Sequence, residues 1–227
     1  MNVLLITGNL DTICQMSCNP AIGGPAKGHI VREIDALGGV MAKVIDRTGI
    51  HFKMLNRSKG AAVWAPRAQA DKKQYSIRMK ELLENEQNIS IVQDIVKRIE
   101  SDNGKIKAVE TERGIRFETK TVIVCTGTFL QGLIHIGAYQ EKAGRLADFS
   151  SEYLSASLKD LGFEIKRLKT GTPQRINGAT IDFSKCEVQE PDLPPEPFSF
   201  STDISTHVFS EQIKCWIIYT NQNTHKV

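Results

Sequence analysis

Two thiols, Cys14 and Cys18, open a stretch that reads CQMSCNPAIGGPAKGHIVREIDALGG as far as Gly39. A thiolate both attacks and leaves well, so a cysteine held in a loop can add to an electron-poor carbon and later be expelled from it. Cys18 is followed by the turn-forming pair Asn19-Pro20, by the adjacent glycines Gly23 and Gly24, and by Lys27. Two successive glycines remove the side chains that would keep a ligand off the backbone. Pro25 suits the first turn of a helix, whose free N–H groups attract anions and would lower the pKa of a nearby thiol. The alternative for this stretch is a tight structural turn, with Cys18 as a small packing residue. Cys14 and Cys18 lack the spacing of a zinc pair, and Cys125, Cys186 and Cys215 are scattered, so no metal site is expected.

Three further segments carry candidate ligand contacts. Residues 56–70, NRSKGAAVWAPRAQA, interleave Arg57, Lys59 and Arg67 with small residues and Trp64, a mixture suited to a phosphate-rich or planar ligand or, equally, to an exposed basic loop. Residues 167–175, RLKTGTPQR, place Arg167, Lys169, Thr170 and Arg175 around a glycine turn, fitting anion or nucleic-acid contact or a polar hairpin. The apolar run Thr121–Cys125 ends in Thr126-Gly127, and open α/β sheets bind ligands at the carboxyl ends of their strands. His135, between Ile134 and Ile136, is read as a structural histidine.

The elements that must position these residues follow from periodicity. Val3–Thr7 and Thr121–Cys125 are continuous apolar runs, expected as buried strands of one parallel sheet. A helix is expected after Pro25 with Ile30, Val31, Ile34 and Leu37 on one face, a second through Met41, Val44 and Ile45, and a strand over His51–Leu55. Ala68–Asn85 reads as a helix with Ile77, Leu82 and Leu83 inward. Strands near 89–93, 94–100, 105–111 and 114–118, separated by Asp102-Asn103-Gly104 and Arg113-Gly114, form a β-meander. Leu133–Gly137 is a further strand, and Ser150–Leu161 a helix with a serine N-cap. The proline-rich acidic stretch around Pro191–Pro197 is a stiff connector, and CWIIYT near the end is strand-like.

With 227 residues, 41% apolar content and a formal charge of +3, the chain is ordinary globular material, and its charge by itself does not indicate nucleic-acid binding. An odd, scattered set of five cysteines excludes a secreted disulfide framework, and no apolar run reaches eighteen residues, so the cytoplasm is the expected compartment and no membrane contact is expected.

The order strand, glycine-rich loop, helices, meander and second strand ending in Thr-Gly is that of flavoproteins with two dinucleotide-binding domains. Within that class the blocks DTICQMSCNPAIGGPAKGHIVREIDALGG, LNRSKGAAVWAPRAQAD, TGTFLQGLIHIG, RLKTGTPQR and TNQNTH resemble, in order, the MnmG (GidA) tRNA uridine 5-carboxymethylaminomethyl modification enzymes. Ala61 and Gln174 are small departures. The resemblance implies an α/β fold, an FAD-binding doubly wound (Rossmann-like) sheet with a β-meander crossover. The family's first strand and its GxGxxG loop have no counterpart in these residues, nor do its second active-site cysteine and its helical C-terminal region. It implies a partial FAD-binding domain over 1–165 and the start of an inserted NADH/substrate domain over 166–227. It implies FAD, NADH and methylenetetrahydrofolate as the one-carbon donor, tRNA as substrate, an MnmE-type GTPase partner and a homodimer in the intact protein. Residue by residue, it makes Cys18 the nucleophile and places Asn19, Pro20, Gly23, Gly24, Val96, Thr126, Gly127 and Ser151 at FAD. Lys27, Arg57, Lys59, Arg67, Arg167, Lys169, Thr170 and Arg175 fall on the tRNA or NADH side. The folate- and FAD-dependent tRNA uridine methyltransferases, which share fold and donor, are the alternative, as is a non-catalytic fragment unable to hold FAD.

Overall fold

A computed structural model of the chain describes residues 1–226. In chain order its strands and α-helices are β1 (Val3–Thr7), β2 (Ala21–Gly23), α1 (Lys27–Ala36), α2 (Met41–Thr48), β3 (Gly49–Leu55), β4 (Ala65–Ala70), α3 (Lys72–Glu84), β5 (Ile89–Gln93), β6 (Val96–Asp102), β7 (Lys105–Thr111), β8 (Arg116–Glu118), β9 (Ile134–Ile136), β10 (Tyr139–Glu141), α4 (Leu154–Asp160), β11 (Glu187–Gln189) and β12 (Cys215–Ile217). They pack into two compact units that interleave along the sequence: Met1–Ile13 with Leu83–Thr170, and Cys14–Leu82 with Gly171–Val227. These units do not coincide with the expected division into 1–165 and 166–227.

In the first unit β1 and β5 pair in parallel, from Val3 opposite Ile89 to Thr7 opposite Gln93. The meander forms over β6–β8, with the expected strand 89–93 going to β1 instead: β6 and β7 turn through Asn103 and Gly104, both at positive φ, and β8 pairs on the far side of β7. One face of it buries Ile99 and Val109 against Leu154 of α4, with Ile6, Val96, Phe117, Leu158 and Leu161 around them. The Ile99 backbone N–H donates to the Ser157 hydroxyl at 2.9 Å, tying α4 to β6. That helix starts at Leu154 with Tyr153 before it and no side-chain cap, so the expected serine N-cap is not made.

Thr121–Cys125 departs from expectation. It forms no strand, and Ile123 is 87% exposed. An apolar run becomes a strand only where a neighbouring edge takes up its backbone groups, and among the described residues β1 has β5 on one edge and no strand on the other. Of a doubly wound sheet, the described residues therefore carry one parallel pair.

In the second unit β2, β4 and β3 form an antiparallel sheet with β4 in the middle. The basic segment 56–70 is thus half loop and half central strand. Ala65, Ala68 and Ala70 are buried there, and their small side chains let α1 and α2 lie close. Phe52 and Ile45, fully buried in this core, each contribute about 1.5–3 kcal/mol relative to exposure. The expected apolar face of α1 is a further correction: Val31 is buried, but Ile30 and Ile34 are exposed and Leu37 is 89% exposed. The helix instead turns Gly28 and Asp35 inward. A Cβ at Gly28 would lie 2.7 Å from the Pro66 carbonyl oxygen, and Asp35 accepts from the Ser199 hydroxyl and the Phe200 N–H, each at 2.8 Å. Close approach and a polar clasp outweigh the apolar stripe. Likewise α3 buries Tyr75 and Met79 and leaves Ile77 exposed.

The connector after β11 is strapped down by carboxylates. Asp192 accepts from the Met54 N–H at 2.7 Å and pairs with Lys53 at 3.2 Å, and Glu196 pairs with Arg32 at 3.0 Å. Asp46, fully buried on α2, accepts from the N–H groups of Phe198 and Ser199 at 2.7 and 3.0 Å and from the Thr202 hydroxyl at 2.6 Å.

Candidate functional site

Cys18 lies in the loop that leads into β2. Its shape is set by backbone: the Ala21 N–H donates to the Asn19 carbonyl at 2.7 Å and the Ala70 N–H to the Pro20 carbonyl at 2.6 Å, so Asn19-Pro20 is tied to the end of β4. The thiol is half-buried rather than packed in the core, and donates to the Gly171 carbonyl at 3.3 Å. Arg175 donates through one Nη to the carbonyls of Ser17, at 3.4 Å, and Cys18. Fold geometry therefore joins the cysteine loop to the second half of RLKTGTPQR, more than 150 residues on, a pairing that no sequence spacing shows.

The two glycines of the loop differ. Both have positive φ, +92° at Gly23 and +96° at Gly24. A Cβ at Gly23 would meet the Pro66 carbonyl oxygen at 2.1 Å and Phe198 at 2.6 Å, so this glycine serves the packing of β2 on β4. At Gly24 the nearest atom would be an Arg67 Nη, 3.8 Å away, so this backbone stays open to a ligand.

Among the basic residues of this unit, Arg57 is already engaged: it pairs with Asp192 at 3.5 Å and Glu196 at 3.6 Å and lies 6.0 Å from the centre of the Trp64 ring. Lys27 reaches back to the Ala21 carbonyl at 3.1 Å, and partial burial, followed by the charge of Arg67, pushes its pKa below the usual lysine value. Arg67, half-buried on β4, has no carboxylate partner among the described residues, and neither does the exposed Lys59. Both are open to an external anion, Arg67 beside the Gly24 backbone and Lys59 on the 56–64 loop.

The first unit holds the other expected contacts. Val96 opens β6, opposite Thr111. Gly127 has φ +55° and nothing within 4 Å of where a Cβ would stand, while the Thr126 carbonyl accepts from the Phe129 N–H at 3.0 Å, making an open turn. Ser151 is buried, its N–H donating to the Phe129 carbonyl and its carbonyl accepting from Gln131, both at 2.8 Å. Arg167 donates to the Gln131 carbonyl at 3.2 Å, whereas Lys169 and Thr170 are exposed in irregular chain. His135 is exposed on β9.

Sequence reasoning missed Asp94. It follows β5 directly, its N–H donates to the Thr7 carbonyl at 2.9 Å, and one of its carboxylate oxygens is buried without a partner. An acid at a strand end is too common for sequence to single out, and only the orphaned oxygen marks it. Of the expected FAD residues, Gly24 and Gly127 present bare backbone of the kind a nucleotide can approach, and Asp94, which was not expected, adds an unused acceptor beside the end of β1. The described residues hold no group of three or more His, Cys, Asp or Glu side chains placed to bind a metal, and no helix among them is long and apolar enough to cross a membrane.

Comparison with known proteins agrees with the blocks read from the sequence. The family model described as glucose inhibited division protein A (GIDA) matches residues 1–227. The tRNA uridine 5-carboxymethylaminomethyl modification enzyme MnmG of Thermodesulfovibrio yellowstonii is 54% identical over 227 residues, covering 100% of this chain and 36% of its own length, and that of Geobacter sulfurreducens is 53% identical over 224 residues, covering 99% and 35%. The structure of Aquifex aeolicus GidA superposes with a TM-score of 0.92 at 50% identity over 98% of this chain and 38% of that one. A GidA-related protein from Thermus thermophilus shares the fold alone, at 20% identity and a TM-score of 0.50. The chain thus spans about a third of the length of the relatives it matches, and it belongs to the GidA family.

Proposed function

We propose that these residues form part of an FAD-dependent enzyme that, with a GTPase partner, installs an aminomethyl or carboxymethylaminomethyl group on carbon 5 of the wobble uridine of tRNA, with Cys18 as the nucleophile. The observation that carries this reading is the Cys18 loop, in which the thiol is half-exposed, outside the core, and gripped by a basic segment. Carbon 5 of uracil is a poor nucleophile until something adds at carbon 6. The Cys18 thiolate would form a bond to carbon 6, shifting the C5–C6 electron pair toward the C4 carbonyl as an enolate. Carbon 5 would then attack the one-carbon electrophile, lose its proton to a base and expel the thiolate as the C5–C6 double bond re-forms. FAD, when bound, supplies the redox chemistry that links NADH and methylenetetrahydrofolate to that electrophile.

By the resemblance, Asn19, Pro20 and Gly24 are cofactor contacts, as are Val96, Thr126, Gly127 and Ser151, with residues 166–227 beginning the NADH/substrate portion. Gly23 would lie with them, the side where a Cβ would stand being against Pro66 and Phe198. Arg67 and Lys59, unpaired, suit contacts to phosphate, as do Lys27, Lys169 and Thr170, while Arg57 and Arg167 have partners within the chain that a nucleic acid would have to displace. A homodimer acting in the cytoplasm completes the proposal.

The test is Cys18→Ser in the intact protein. The hydroxyl fills the same space but ionises far less, so modification of tRNA should fall by several orders of magnitude while FAD absorbance is retained. Activity within a few-fold of wild type would make Cys18 a packing residue.

A further inference from the structure

The segment Gly171–Arg175 has no helix or strand to hold it, and all five residues are exposed. Its contacts fall on the Cys18 loop within the same unit: the Gly171 carbonyl accepts the thiol proton at 3.3 Å, and the Arg175 guanidinium donates to the successive carbonyls of Ser17, at 3.4 Å, and Cys18. Arg175 has no carboxylate partner among the described residues, so these carbonyls are where its charge is spent. The chemistry of the seat is one-sided. A thiol can donate to a carbonyl, but a thiolate has no proton to give, and a sulfur anion at that distance would face the negative end of the carbonyl dipole.

We propose that Arg175 is a positioning residue that keeps Cys18 in reserve: by clamping the Ser17 and Cys18 carbonyls it docks the Gly171 carbonyl over the thiol, and the sulfur is free to attack only when that clamp lets go. The interest of this arrangement rests on Cys18 being the nucleophile, but the clamp is tested on the thiol itself, apart from turnover. If Cys18→Ser keeps activity, the functional reading fails; the alkylation experiment below judges the clamp either way.

Pulses of iodoacetamide across a range of pH, with each cysteine followed by peptide mass spectrometry, give the reactivity of Cys18 in the folded chain. With Arg175→Ala the Cys18 rate near neutral pH should rise about fivefold, the factor that one modest hydrogen bond is worth. Arg175→Lys, which keeps the charge but loses the fork, should fall between the two. Cys186 and Cys215, in the same unit, should react as in wild type. A Cys18 rate that is unchanged or lower in Arg175→Ala overturns the proposal. So does a rise shared by all five cysteines in both variants, since that is unfolding and not release of a clamp.

Discussion

At Gly23 and Gly24 one sequence signal covers two different physical situations. Adjacent glycines in a loop state that something comes close, and they do not state what. The structure shows the chain's own Pro66 carbonyl and Phe198 ring against Gly23, and open space at Gly24. Gly23→Ala must relieve a 2.1 Å contact with backbone and hold φ at +92°, so unfolding in urea should show a loss of about 3 kcal/mol or more. Gly24→Ala carries only the strain of positive φ, about 1–2 kcal/mol, and in the intact protein it should weaken FAD retention more than it weakens the fold. Equal stability losses in the two variants would contradict this division. The candidate nucleophile was legible in the sequence because Cys18 stands just ahead of an Asn-Pro turn and a glycine pair, in a block that resembles the family's. Its partners were not, because Gly171 and Arg175 lie far away in sequence and meet it through ordinary backbone carbonyls.

Among the elements, those with a local signal were legible: β1, α2, β3 and the meander, whose turns carry Asn-Gly and Arg-Gly. The failures have tertiary causes. Strand β4 reads as a basic loop running into a helix from Ala68, whereas the helix starts only at Lys72, because its alanines carry little β preference and its place in the middle of a sheet is decided by how closely α1 must approach. The α1 stripe misled because Asp35, polar and on the other face, is drawn inward by Ser199 and Phe200. Asp46 plays the same part on α2 with a titratable consequence. Burial raises its pKa above the usual carboxylate value, and the donors Thr202, Phe198 and Ser199, with the charge of His207, only partly offset this. A carboxyl whose folded pKa exceeds its unfolded one contributes stability that is fully present below the unfolded pKa and is lost as pH rises through the folded one. The unfolding free energy of wild type minus that of Asp46→Asn, followed by urea titration from acid to neutral pH, should therefore be largest at the acid end and decline as pH rises. A difference that grows with pH would show that the three donated hydrogen bonds and His207 prevail over desolvation.

At the scale of the whole molecule, family membership was the most legible feature, since five blocks in order leave little room for another assignment, and the 54% identity and the TM-score of 0.92 agree with them. The joint fate of β1 and Thr121–Cys125 was not legible, because strand formation depends on a neighbouring edge that a sequence run does not contain. Val3, Leu4 and Ile123 are exposed, one edge of β1 is unpaired among the described residues, and no GxGxxG loop occurs in the 227 residues to hold a diphosphate. The chain of residues 1–227 alone should accordingly purify with far less than one FAD per chain, read from flavin absorbance; a stoichiometric yellow preparation would show that another cradle exists. The central claim, attack by Cys18 on carbon 6 of the wobble uridine, is tested most directly by a tRNA carrying 5-fluorouridine at that position. Once carbon 5 has taken up the one-carbon unit, fluorine cannot leave as a proton does, so elimination of the sulfur is blocked and the adduct persists. With the intact enzyme, its GTPase partner and cofactors, we expect a denaturation-resistant protein–RNA complex whose cross-linked peptide contains Cys18, and none with Cys18→Ser. A complex of equal yield in Cys18→Ser, or an adduct mapped to another residue, would contradict the account.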